Sequence, residues 1–233
     1  MGLHQHSKAG RRAWFGRCGG LALLGGSVAG CKAPLEPSSS ANDPRAWTDE
    51  RAAMRWMREE EKLARDVYLE LGARWPEIHQ FQNIASSEQR HMDAMRSLLA
   101  AAHEQDPVED ESVGVFEQPE LAELYAALVD AGRTSALAAL EVGAEIEEID
   151  IADLDRALAL TDDPRAKTIY GQLRYGSCNH LQAFLRGLSR RGHEYTPKHL
   201  DEQTFAAALA QAHGGRGHGP GHGQGHGQGQ GRR

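Results

Sequence analysis

Apolar residues recur along the chain at intervals of three and four, in long stretches separated by proline, glycine and acidic breaks, which is the pattern of amphipathic helices joined by loops. A first helix is predicted from about Pro44 to Trp75, with Met57, Glu61, Ala64 and Tyr68 on one line and Leu63, Val67 and Leu71 beside it. Pro76 can open a second helix at its first turn, whose stripe carries Phe81, Ile84, Ala85, Glu88, His91, Met92, Met95, Leu98 and Leu99 and ends near Pro107. A short amphipathic helix is expected from Pro119 to Ala131, facing Leu121, Leu124, Tyr125 and Leu128 inward. Gly132 ends it and Thr134 or Ser135 can cap the next. The third long helix carries Leu137, Leu140, Ala144, Glu148 and Ile151 and continues toward Leu158. The fourth opens at Asp162-Asp163-Pro164 and carries Ile169, Leu173, Ser177, His180, Leu181, Phe184 and Leu188 as far as Gly192. Four long helices with a short extra one between the second and third predict an all-α bundle. The long connection lets the second and third long helices run parallel, which short hairpins cannot do, and a simple up-down bundle is the competing arrangement.

The ends differ from this middle. Of the 26 glycines, 8 precede Cys31 and 10 fall in the last 21 residues. Residues 1–30 read as an export signal, with Arg11 and Arg12 ahead of a short apolar run from Leu21 to Gly30 that is too short for a permanent membrane span. Val28-Ala29-Gly30-Cys31 resembles a lipoprotein signal in which Cys31 takes the lipid, and Arg11-Arg12-Ala13-Trp14-Phe15 resembles a twin-arginine signal. These features imply an extracytoplasmic, lipid-anchored protein, periplasmic or on the cell surface. Lys32 next to Cys31 leaves outer-membrane attachment open. Residues 31–44, rich in Pro, Ser and Ala, suit a tether. The folded domain is expected over 45–205 and a disordered Gly/His-rich tail over 206–233, where His213, His218, His222 and His226 either bind borderline metals or merely solubilise the chain.

Charge narrows the partners. Setting aside Lys8, Arg11, Arg12, Arg17, Arg216, Arg232 and Arg233 leaves 19 of the 26 basic residues against 33 acidic ones, a net charge near −14 for the middle of the chain. That excess repels phosphate backbones and argues against nucleic-acid binding. Of Cys18, Cys31 and Cys178, the last alone falls within the domain, so no disulfide framework is expected there.

The acids and histidines on apolar stripes carry the chemistry. Glu88 and His91, three apart on one helical face, can reach one metal ion together, as Glu-x-x-His pairs do in di-iron bundles. They lie between Ile84 and Met95, where an unpaired charge is costly. Glu61, Glu148 and His180 occupy comparable positions on the other three long helices, whereas Lys62, Arg65, Arg90 and Arg174 fall off the inward lines. Carboxylates and imidazoles in mixed number suit iron or manganese, and the lack of thiolates argues against structural zinc. A metal-free polar core is the competing reading.

Four stretches, Glu59 to Tyr68, Ser87 to Ala94, Val142 to Ile151 and Gly176 to Leu181, make the chain resemble the ferritin-like superfamily that includes rubrerythrins and bacterioferritins. More closely it resembles an uncharacterised family of bacterial and archaeal ferritin-like domains. The resemblance implies a ferritin-like four-helix bundle with a long crossover containing a short extra helix between helices 2 and 3, and a carboxylate/histidine centre for two iron ions, with manganese as the alternative. It implies Glu61, Glu88 and Glu148 as oxygen ligands, with Glu60 replacing Glu61 if the first helix is rotated, and His91 and His180 as nitrogen ligands. Tyr68 becomes a donor or radical-quenching residue beside the metals, and Glu145 an additional glutamate of the rubrerythrin kind. Ser177-Cys178-Asn179-His180 departs from the family's second Glu-x-x-His, and Glu145 or Glu147 could supply the missing oxygen. No rubredoxin-like Cys-x-x-Cys is present. The implied activity is ferroxidase- or peroxidase-type oxidoreduction, with homo-oligomers allowed. The alternatives are a metal-buffering lipoprotein without catalysis and a metal-free helical interaction domain.

Overall fold

The structure, a computed structural model, describes residues 47–214. The expected leader, Cys31, the tether and the segment beyond residue 214 lie outside the described residues. Within them the chain is all helical: α1 (Glu50–Arg74), α2 (His79–Ala101), α3 (Pro119–Gly132), α4 (Ala136–Leu160), α5 (Pro164–Ser189) and α6 (Glu202–Gly214), with no strand.

Local chemistry sets the boundaries. The Asp49 side chain accepts the Ala52 N–H and opens α1, the Ser135 hydroxyl oxygen does the same for α4 through Ala138, and Asp163 caps α5 ahead of Pro164. Pro76 closes α1 instead of opening α2. It excludes the preceding residue from helical geometry, and Trp75 sits at φ −126°, ψ 67°. A turn follows before α2 starts at His79. Helix α2 stops at Ala101, short of Pro107, because His103 enters the left-handed region at φ 57° and the Glu104 N–H turns back to the Leu99 carbonyl.

Helix α6 differs from the expected extent of the tail. It begins beyond Asp201, whose carboxylate accepts the Thr204 N–H, and it buries Ala208 and Ala212 against the rest of the domain. Alanine and leucine at helical spacing therefore extend packing past residue 205, as far as Ala212.

The four long helices pack in a ring, α1 on α2, α2 on α5, α5 on α4 and α4 on α1, while α3 lies on α1 and α4, and α6 on α5. Side-chain contacts fix their directions. Tyr68 and Glu61 of α1 meet Phe81 and His91 of α2, so these two helices are antiparallel. Phe81 and His91 meet Phe184 and His180 of α5, and Glu147 and Asp150 of α4 meet His180 and Ser177, so both of these pairs are antiparallel as well. Helices α2 and α4 consequently run parallel, joined by a long connection through α3. Below the polar cluster described next, Tyr68, Phe81 and Phe184 form an aromatic trio with centroids 5.3 to 6.0 Å apart. Gly143 admits it, since a Cβ there would lie 2.5 Å from the Phe184 ring.

Candidate metal centre

Glu88 is the hub. From α2 its two carboxylate oxygens face different imidazoles: Oε2 is 2.7 Å from His91 Nδ1, and Oε1 is 2.7 Å from His180 Nδ1 across the bundle on α5. On one side Glu61 of α1 brings Oε2 to 3.2 Å from His91 Nδ1. On the other, Glu147 of α4 brings Oε2 to 3.5 Å from His180 Nδ1. Two ligand triads result, Glu61, Glu88 and His91, and Glu88, Glu147 and His180. Within each, the donor atoms lie within 4.8 Å of one another. The two imidazoles stack with centroids 5.5 Å apart.

Neighbours hold these groups in place. Tyr68 Oη donates to Glu147 Oε1 at 2.5 Å and approaches the Gly143 carbonyl at 3.3 Å. The His91 ring lies against α5 at Gly176, where a Cβ would come within 2.6 Å of Nε2. Glycine at 176 is thus what lets His91 turn Nδ1 toward Glu61 and Glu88.

The electrostatics favour a cation. Glu61, Glu88 and Glu147 place three carboxylates beside two imidazoles, with the buried Asp150 one turn beyond Glu147. Burial pushes the Glu61 carboxyl up to about 7 despite the attraction of His91. Burial raises Glu147 too. For Glu88, burial is outweighed by His180 and His91 together, which hold it below the usual carboxylate range. Burial would lower both imidazoles, but Glu88 first, with Glu61 beside His91 and Glu147 beside His180, pushes His91 up to about 12 and His180 to about 10. Burial holds Asp150 up as well, so without a metal ion the cluster limits its charge by keeping Glu61, Glu147 and Asp150 toward their neutral forms.

Several buried donor atoms also lack a hydrogen bond: Glu61 Oε1, Asp150 Oδ1, and the Glu88 Oε1 and His180 Nδ1 pair, which meet at 2.7 Å without hydrogen-bond alignment. Buried polar atoms are rarely left this way. Oxygen-rich donors with two imidazoles suit iron, manganese or a similar divalent ion, and the residues present fit such a group.

The structure does not bring Glu148 and Glu145 to this cluster. Glu148 is fully buried, but on another face of α4, where its carboxylate accepts Tyr195 Oη at 2.6 Å and the backbone N–H groups of Lys198, His199 and Leu200 at 2.9 to 3.2 Å. It anchors the segment leading to α6, and its oxygens are used there. Glu145 pairs with Lys198 and His199 on the same side, and these partners lower its pKa. Of the two substitutes weighed for the missing fourth-helix carboxylate, Glu147 lies in the cluster. Glu60 is buried against Trp56, whose Nε1 donates to it at 3.1 Å.

Asp150 is the residue that the stripe pattern missed, while its partner Ser177 lies on the α5 stripe as expected. The signal was the line Gly143, Glu147, Asp150 and Leu154 at spacings of four, three and four. It was masked because α4 is buried on most sides and offers no polar face to set the rotation. Lys62 and Arg65, off the cluster line as expected, are nevertheless buried. They pair with Asp66 at 2.6 and 2.7 Å under the connection between α2 and α3.

Fold and site together define an all-α helical bundle whose interior holds grouped carboxylates and imidazoles. Residues 50–212 match the family described as uncharacterized protein domain DUF2202, and the chain belongs to that family. It is similar to the uncharacterized protein MJ0754 of Methanocaldococcus jannaschii, 44% identical over 164 residues that cover 70% of this chain and 88% of that protein. The crystal structure titled hypothetical protein MJ0754 from Methanococcus jannaschii superposes with a TM-score of 0.68, covering 74% of this chain and 98% of that one.

Proposed function

We propose that the bundle is a ferritin-like domain holding two divalent metal ions, iron foremost, in a centre where Glu88 bridges. Glu61 and His91 hold one ion and Glu147 and His180 the other. The observation that carries this reading is the placement of Glu88, with one carboxylate oxygen in each of two triads from four different helices. The parallel run of α2 and α4 and the long connection between them support the ferritin-like comparison.

With two irons bound, the centre would supply oxidation of Fe(II) by oxygen or peroxide. The chain's own part is to hold and insulate it. Tyr68 fixes Glu147 through the 2.5 Å hydrogen bond, donating its hydroxyl proton to Oε1. The aromatic trio seals one end against water, and Gly176 keeps His91 in register.

Export and anchoring at Cys31 are proposed from the leader pattern. No helix among the described residues is long and apolar enough to cross a membrane. Loss of incorporated radiolabelled fatty acid in Cys31→Ser is the expected result for that anchor.

The test of the centre is anaerobic Fe(II) loading, metal analysis, and then exposure to oxygen or peroxide with optical detection of an oxo-bridged ferric pair. Two irons per chain and consumption of oxidant are expected. Two irons without oxidant consumption would leave metal buffering as the function, and failure to bind iron would leave a helical interaction domain.

A further inference from the structure

Helix α5 carries Ser177 one turn before His180, where a second Glu-x-x-His would place its carboxylate. Serine is too short to ligate across the bundle from that position. Its hydroxyl instead donates to Oδ2 of Asp150 on α4, and it also reaches the Leu173 carbonyl at 3.0 Å. The Asp150 carboxylate therefore stands in the space that a longer side chain at 177 would enter. Ser177 is fully buried and Asp150 is 5% exposed.

The register of the bundle sets its level. Along α4, Asp150 lies one turn beyond Glu147. Along α5, Ser177 lies beside Gly176, which packs against His91, and along α1, antiparallel to α4, Glu61 lies two turns before Tyr68, which meets Glu147. Asp150 thus sits at the level of Glu61 on the neighbouring α1 and of His91 on the diagonally opposite α2. Its Oδ1 is buried with no hydrogen-bond partner, while Oδ2 is fixed by Ser177. A carboxylate with one oxygen held and the other open, among further acids and without a cation of its own, is built like a metal ligand.

We propose that Asp150, oriented by Ser177, is a ligand of the ion on the Glu61 and His91 side, so that α4 supplies the oxygen the fourth long helix has lost. This rests on the two-ion reading above. Glu147 and Asp150 together make α4 the carboxylate donor to both ions, and α5 contributes His180 and an orienting hydroxyl.

The experiment is Mn(II) titration of the full chain followed by electron paramagnetic resonance, with thermal unfolding in the presence of chelator as a second readout. Mn(II) prefers carboxylate oxygen, which keeps the histidines beyond residue 213 from dominating the count. The wild type is expected to bind two ions showing exchange coupling. Asp150→Asn should keep one ion, lose the coupled signal and bind the other about tenfold or more weakly. It should also unfold, under chelator, at or above the wild-type temperature, because the amide can still accept the Ser177 hydrogen bond and takes a carboxyl away from the other buried acids. Ser177→Ala should weaken the same ion less. The double variant D150S/S177E, which returns the carboxylate to α5, should recover the coupled signal.

Two coupled ions with wild-type affinity in Asp150→Asn would overturn the assignment while leaving the centre intact. A D150N variant that loses stability under chelator, with no recovery in the double variant, would also overturn it, in favour of a structural aspartate. Absence of bound Mn(II) in the wild type would instead remove the two-ion reading and this inference with it.

Discussion

Helix α1 buries charge on two faces, and the two are settled in opposite ways. Toward the connection between α2 and α3, three cations, Arg58, Lys62 and Arg65, meet three carboxylates, Asp66, Asp106 and Glu111. Ser112, Gly114 and Gln89 complete that network through backbone or amide contacts. Toward the bundle axis, Glu61 joins Glu88 and Glu147 beside two imidazoles, with Asp150 buried one turn beyond Glu147, and several donor atoms are left without hydrogen bonds. The first face is an ion network that neutralises itself and tethers a loop. The second has an excess of donors, which is what a metal centre requires and a stabilising core does not.

The comparison can be broken most forcefully on the first face. Asp66→Ala strands Lys62 and Arg65, both buried, and is expected to cost about 3 to 5 kcal/mol in urea unfolding, with or without metal. On the second face the loss should depend on metal. Glu88→Ala removes the carboxylate that contributes one oxygen to each triad, so metal at a hundredfold excess over its wild-type Kd should no longer add the roughly 2.7 kcal/mol of linked stability it gives the wild type. Gly176→Ala is milder: the new methyl displaces His91, and metal affinity should fall about 10- to 100-fold by calorimetric titration while the fold persists.

A change of pH sharpens the contrast within the second face. Without metal, His91 and His180 are raised to about 12 and 10 by their carboxylates, so their pairing stabilises the fold through neutral pH and is lost as pH rises through those values. Metal competes for the same nitrogens. Its binding should therefore release protons, measurable as a dependence of binding heat on buffer ionisation, and should weaken as pH falls. The smallest effect lies outside both faces. His103→Gly relieves a left-handed residue at the end of α2 and should add about 1 kcal/mol in chemical denaturation.

How much of this was legible in the sequence follows from how one-sided each helix is. Helices α2 and α5 have a buried stripe and an exposed back, so Glu88, His91 and His180 could be placed inward from spacing alone. Glu61 was also legible, but the fully buried Lys62 beside it was not, since a loop rather than a helix covers that face. Helix α4 defeated the method. It packs on α1, α3 and α5 and beneath the segment that Glu148 anchors, so the stripe through Leu140, Ala144, Glu148 and Ile151 is as buried as the line through Glu147 and Asp150. Only tertiary contacts distinguish a carboxylate capping backbone N–H groups from one facing imidazoles. Ser177 looked like a loss because its partner, 27 residues earlier, is invisible to local spacing.

The most direct test of the metal centre is anomalous diffraction from crystals grown with Fe(II) under anaerobic conditions. Two anomalous peaks about 3.5 to 4 Å apart are expected, one beside Glu61 and His91 and the other beside Glu147 and His180, with Glu88 touching both. Metal found only among the histidines beyond residue 213, or beside Glu145 and His199, with none at Glu88, would contradict the account.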